Sequence, residues 1–393
     1  MSTRDGARTC YIGDETGLVK QVFFPDVFAK PSVVAAANFQ KKRKAPEAAQ
    51  ASVYRDGSDD ESEVNKVEEL KKAAVRAVKP QVTRLNEGVR QERAEGIDCM
   101  CLFSDSKLGL VTHSGILQEW NPKSKTLLHQ TKQHNFSTPF EKKDQTKPRV
   151  ETIVGLCELG KTCLGGARTV ASCSNRGTMR VTKLPSIDHQ ETSFYVGHPV
   201  SKMRPSPTVE HVIALGGKDL DLRLFGLSEQ KQIWKARNLP HDWLNMAVPV
   251  WVNEICFAKG MNDQGHTMLV GTGYSEIRLY DTRADNRPVH NYVLPSPEGD
   301  NPPFMSLCPS VDGKTVFAGD THGRVIRVDV GSGKVMSKYK GFTGSVRALA
   351  VDPTGEALYS ASMDRYLRVH DVESRKMSMR VYVKQRLTTM LLV

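Results

Sequence analysis

The stretch Val346–Asp371, VRALAVDPTGEALYSASMDRYLRVHD, decides how the chain is read. VRALAV is a short apolar run that ends in a glycine-containing turn at Asp352-Pro353-Thr354-Gly355. ALYSAS alternates small and apolar residues up to a second turn, and YLRVHD sets one arginine, Arg368, among apolar neighbours. Alternation at period two between such turns predicts three consecutive antiparallel strands.

The same order recurs along the chain. Taking the basic position of the third strand as reference, its copies centre on Lys20, Gln118, Arg180, Arg223, Arg278, Arg327 and Arg368, in the contexts GLVKQVF, GILQEWN, GTMRVTK, LDLRLFG, SEIRLYD, RVIRVDV and RYLRVHD. Their spacings are 98, 62, 43, 55, 49 and 41 residues. The last five lie near the roughly 40–45 residues of a four-stranded blade with loop insertions. A small-residue strand precedes most copies (TVFAGDTHG, TMLVGTGYS, VIALGGKDL, LGLVTHSG), and an inner strand precedes that (FMSLCPSVDG, VNEICFAKG, TIVGLCELG). The segments CLFSDSKLGLVTHSGILQEWN and Val346–Asp371 resemble degenerate WD repeats, with Trp120-Asn121, Tyr280-Asp281 and His370-Asp371 in place of the Trp-Asp pair. The fold expected for residues 1–393 is a single all-β, seven-bladed WD-repeat β-propeller.

Closure is legible at the two ends. The chain opens with only two evident strands, around RTCYIGDE and LVKQVFF, while RLTTMLLV near its end resembles an inner strand. Pairing of these N- and C-terminal strands in one blade would remove the free sheet edges that invite aggregation. The chain stops at Leu391, Leu392 and Val393, and a polar, basic tail is expected beyond them.

Composition narrows the function class. The 39% hydrophobic content supports a sizeable core, no apolar run is long enough to span a bilayer, and the polar start MSTRDGARTC has no signal-peptide character. The expectation is a protein kept on the cytosolic side, with no membrane partner. Lys and Arg outnumber Asp and Glu by 55 to 44, which favours anionic partners such as nucleic acid or an acidic protein. The eight cysteines form no CxxC pair or metal-ligand spacing and read as reduced core residues, so neither a metal nor a cofactor is expected.

Three insertions interrupt the repeat. The first, 39–95, falls in the first blade and carries the basic run Lys41, Lys42, Arg43 and Lys44, a nuclear-targeting candidate. It then turns acidic and predicts a helix over 62–79, the rest being partly disordered. The second, 131–149, supplies Lys142, Lys143, Lys147 and Arg149 as candidate phosphate contacts. The third, QIWKARNLPHDWLNMAVPVWVNEI at 232–255, gathers three of the four tryptophans. Trp234 and Trp251 read as strand and core residues, whereas Trp243, with Lys235, Arg237 and Asp242, reads as a contact surface.

Catalysis finds no support in the residue pattern. Gly155 followed by Gly160, Lys161 and Thr162 matches a phosphate-binding loop, but such a loop needs a helix after its glycines. Here strand-forming TCLGGARTVASCS follows, and Gly160-Lys161 falls at a hairpin turn. No GxSxG or HExxH motif is present, and no catalytic residue is assigned.

The opening GDETGLVKQV, the segment WKARNLPHDWLNMAVPVWVNEI and the final blades resemble a nucleolar family of WD-repeat factors that assemble the large (60S) ribosomal subunit. The resemblance spans both ends, weakens over 39–95 and is most specific at 237–251. It implies a non-enzymatic scaffold of early pre-60S particles in the nucleus and nucleolus. The implied partners are other assembly factors, pre-ribosomal RNA and an AAA-type ATPase that removes the factor from the particle. A closed propeller needs no second copy, so a monomer is expected. The competing reading is a propeller adaptor of a ubiquitin-ligase or chromatin complex without RNA contact, and an ATPase ranks third.

Overall fold

The computed structural model describes residues 8–24, 80–86, 91–132, 151–159, 168–184, 191–258, 265–296 and 299–393. Among the described residues, twenty-eight strands form seven four-stranded antiparallel sheets, the blades of a β-propeller. In six blades the strands follow one another in chain order from the inner strand outward. The seventh repeat is typical, with strands Val346–Val351, Ala357–Ser362, Tyr366–Asp371 and Met377–Tyr382. The first blade differs: Leu387–Leu392 supplies its inner strand, followed by Arg8–Asp14, Val19–Phe24 and Gln81–Arg84. Closure by the two ends of the chain is therefore borne out. The outer strand of this blade comes from the segment read as the 39–95 insertion; residues 39–79, including the expected helix at 62–79 and the run Lys41–Lys44, lie outside the described residues.

Contacts group the chain into two units. One, 11–21 with 83–392, holds the blade framework described below; the other contains, among the described residues, 8–10, 22–24, 80–82 and 393. In the smaller unit Thr9 and Val393 exchange backbone hydrogen bonds of 3.2 and 2.9 Å.

In the larger unit the core lies between successive blades. Phe317 and Val325 of the sixth blade pack with Val346 and Leu358 of the seventh, all essentially buried, and each such side chain removed from water contributes roughly 1.5–3 kcal/mol. The small residues of the second strands have a steric reason. A Cβ at Gly319 would lie 2.9 Å from Val346 Cβ, the first residue of the next blade's inner strand. At Gly216 it would meet Val252 Cβ at the same distance.

In three repeats the basic residue of the third strand is an internal clamp on a carboxylate. Arg368, 2% exposed, donates from Nη1 and Nη2 to Asp364 Oδ1 and Oδ2 at 3.0 and 2.6 Å. Asp364 in turn accepts from Thr343 N–H at 3.2 Å, which ties the turn after the second strand to the connection entering the blade. Arg278 donates from Nε and Nη2 to Glu276 Oε2 at 3.0 and 2.8 Å, and Lys20 donates to Asp14 Oδ2 at 2.9 Å and to the Val383 carbonyl at 2.8 Å. Lys20 thus binds an N-terminal strand to the C-terminal connection. Charge-assisted bonds of this kind are about twice as strong as neutral ones.

Candidate functional site

The segment between the strands Lys231–Lys235 and Val252–Phe257 bridges the fourth and fifth blades and is held at both ends. Near its start, Arg237 N–H donates to the Asn286 carbonyl at 2.9 Å, and Arg278 Nη1 donates to Asn238 Oδ1 at 3.3 Å. Asn238 Nδ2 reaches across the loop to the Val248 carbonyl. At its end, Asp219 N–H and Gly273 N–H donate to the carbonyls of Val250 and Trp251, at 2.8 and 2.9 Å.

Between these anchors the chain makes a tight turn. Asp242 Oδ1 accepts from Leu244 N–H at 3.0 Å and Met246 N–H at 2.8 Å, while Asn245 takes a left-handed backbone, φ 60°, tolerable for asparagine. The turn raises three large apolar side chains into solvent: Trp243 is 90% exposed, Leu244 54% and Met246 56%. An exposed cluster of this kind on a fixed backbone has the composition of a partner-binding surface.

The residues singled out in the sequence thus occupy different positions. Arg237 and Trp243 are exposed on this one connection, and Lys235 is exposed at the end of the strand that leads into it. Asp242 shapes the turn with its carboxylate. Trp234 packs half-buried against Tyr280, centroids 6.1 Å apart, and Trp251 makes an edge contact with Tyr274 under Lys218 Nζ. Lys142, Lys143, Lys147 and Arg149 lie outside the described residues, as do Gly160, Lys161 and Thr162. Gly155 sits within the inner strand Ile153–Leu159, where a Cβ would come 2.5 Å from Met203 Cβ, so close packing of the next blade explains it. Sequence reasoning missed Asn238 and Arg278 as positioning residues. The recurrent basic position was the available signal, but nothing in the sequence shows that Arg278 meets Asn238.

A second feature is the axial channel, a cavity of about 470 Å³ lined by the inner strands of all seven blades. Most of its charges are paired. Glu254, 1% exposed, accepts from Arg204 Nε at 2.9 Å and Lys202 Nζ at 3.1 Å. Burial alone would raise its carboxyl, but Arg204 and Lys202 outweigh it and hold the pKa below the usual range. Asp98 contacts His113 Nδ1 at 3.3 Å. Burial pushes the channel thiol Cys99 up to about 12 and also raises that of Cys256. Among the described residues all cysteines are free thiols, and no group of His, Cys, Asp or Glu could hold a metal. No helix among them is long and apolar enough to cross a membrane.

Residues 333–371 match the family described as WD domain, G-beta repeat. This match begins at the turn before the outer strand of the sixth blade and ends in the third strand of the seventh, so one repeat couples two blades. Human WD repeat-containing protein 74 is 31% identical over 63% of this chain and 66% of its own length. The mouse protein of that name is 33% identical over 57% of the chain and 58% of its length. Ribosome biogenesis protein NSA1 of Yarrowia lipolytica is 26% identical over 46% and 49%. This chain is a homologue of these WD-repeat and ribosome biogenesis proteins. The resemblance to WD-repeat ribosome assembly factors is borne out by these relatives, of whose length the chain spans between about half and two thirds.

Proposed function

We propose that the chain is a non-enzymatic scaffold in ribosome biogenesis, which binds assembly factors and pre-ribosomal RNA in early nucleolar pre-60S particles. The names of its NSA1 relatives support a role in ribosome biogenesis. One observation carries the site: Trp243, 90% exposed, heads a turn that internal hydrogen bonds hold in place, with Arg237 exposed on the same connection and Lys235 exposed at the end of the strand that leads into it. Aromatic and arginine side chains offered on a rigid backbone lose little entropy on binding and make strong contact points. The formal net charge of +11 supports salt-dependent contact with RNA phosphates, with little base specificity. Under this reading the basic residues Lys142, Lys143, Lys147 and Arg149 add phosphate contacts, Lys41–Lys44 direct the protein to the nucleus, and an AAA-type ATPase removes it from the particle.

The test is sedimentation of cell extracts on sucrose gradients. The double substitution Trp243→Ala and Arg237→Ala is expected to shift the protein from pre-60S fractions to free fractions by about tenfold or more, with an unchanged melting temperature. Unaltered sedimentation would remove this loop from the site. Crosslinking in cells separates the adaptor reading, which predicts no enrichment of ribosomal precursor RNA.

A further inference from the structure

Among the described residues, the axial channel contains one cation that the fold does not use. Arg347 follows Val346, the buried first residue of the seventh blade's inner strand, and occupies a bulge in the pairing with the second strand. The same irregularity places Asp98, Val154, Asn253 and Met305 at the entry of other inner strands. Asp98, Val154 and Arg347 all line the cavity there. Lys202 and Arg204 both pair with the Glu254 carboxylate, and Asp98 faces His113. The Thr388 hydroxyl on the adjoining inner strand is committed to the carbonyls of Gly13 and Ile97, at 3.1 and 2.6 Å. Arg347 has no hydrogen-bond or ion-pair partner among the described residues, and burial pushes its guanidinium pKa down with no carboxylate to offset it. Keeping a half-buried guanidinium without a counter-charge is unfavourable for the isolated protein, and a guanidinium fork matches a carboxylate in two parallel hydrogen bonds.

We infer that the mouth of the axial channel is a binding site for one carboxylate of an acidic peptide segment from a partner protein, held by Arg347. The surrounding wall favours a peptide over a nucleic acid. Leu349, Leu307 and Met390 line the channel and suit the apolar stem and neighbours of a Glu or Asp side chain. With Glu254 and Asp98 already paired, the one guanidinium without a partner among the described lining residues matches a single carboxylate rather than a phosphate backbone that brings a charge with every nucleotide. The inference is independent of the Trp243 loop.

Panning a display library of random heptapeptides against the full chain tests it, with fluorescence polarisation of the recovered peptides as the affinity measurement. The expected result is enrichment of peptides with one acidic residue among apolar ones. Their affinity should fall at least tenfold on Glu→Gln exchange in the peptide and equally on Arg347→Gln in the protein. The Trp243→Ala, Arg237→Ala protein should bind them normally, which separates this site from the proposed loop site. Absence of acidic enrichment, or equal binding to R347Q, would overturn the inference. So would a short single-stranded RNA oligonucleotide that displaces the peptides and itself depends on Arg347. The unliganded R347Q protein provides a second readout. A binding residue predicts a melting temperature equal to or above that of the parent protein, and a clear fall would show a structural role instead.

Discussion

Arg368 illustrates the residue scale. Its position was conspicuous in the sequence as one of six Lys or Arg residues in seven repeats, a pattern that suggests an exposed basic stripe as readily as an internal one. Burial and the two bonds to Asp364 settle its role as a clamp. Removing one partner of a buried pair leaves the other uncompensated, so Arg368→Met is expected to destabilise the fold by about 3–5 kcal/mol in urea melts, with part of the loss recovered when Asp364→Asn is added. For Asp364, burial raises the carboxyl pKa, but Arg368 and the N–H groups of Thr343 and Tyr366 outweigh it and leave it below the ordinary aspartate range. Its contribution is therefore complete above that range and is lost as the pH falls through the depressed value, below about pH 4. An acid-unfolding series of Asp364→Asn should show a shallower loss of stability in that window than the parent protein.

At the scale of elements, closure of the first blade has the largest consequence. The inner strand Leu387–Leu392 pairs with Arg8–Asp14, and Lys20 reaches the Val383 carbonyl from the same blade. A chain that ends after Arg386 would leave an unpaired edge facing the axis and expose apolar walls on both sides. Such a truncation is expected to aggregate and to lose its cooperative thermal transition, as read by size-exclusion chromatography and calorimetry. The strands themselves were legible in the sequence because alternation and turn residues are local signals. The outer strand Gln81–Arg84 was not, because four residues with no buried side chain produce no alternation to detect.

For the molecule as a whole, packing between blades shields the thiols. Cys10, Cys157, Cys173 and Cys256 are buried, and desolvation raises the pKa of each. Mass spectrometry after iodoacetamide treatment at pH 8 should find these four unmodified in the folded protein and fully alkylated in urea. Partial labelling of the native protein would show that the blades separate more readily than this packing implies.

The sequence by itself determined the repeat, the number of blades, the pairing of the two chain ends and the aromatic connection at 234–251. Each is written in nearby residues, as alternation, turn chemistry or spacing. Tertiary structure alone decided that Gly155 yields to Met203 and that Asn238 and Arg278 brace the loop. It alone separated Lys202 and Arg204, both paired with Glu254, from Arg347, which has no counter-charge. The physical reason is distance along the chain. Whether a cation is paired depends on residues that only propeller closure brings together, and the two strands that meet Glu254 and Arg347 at the axis belong to different repeats.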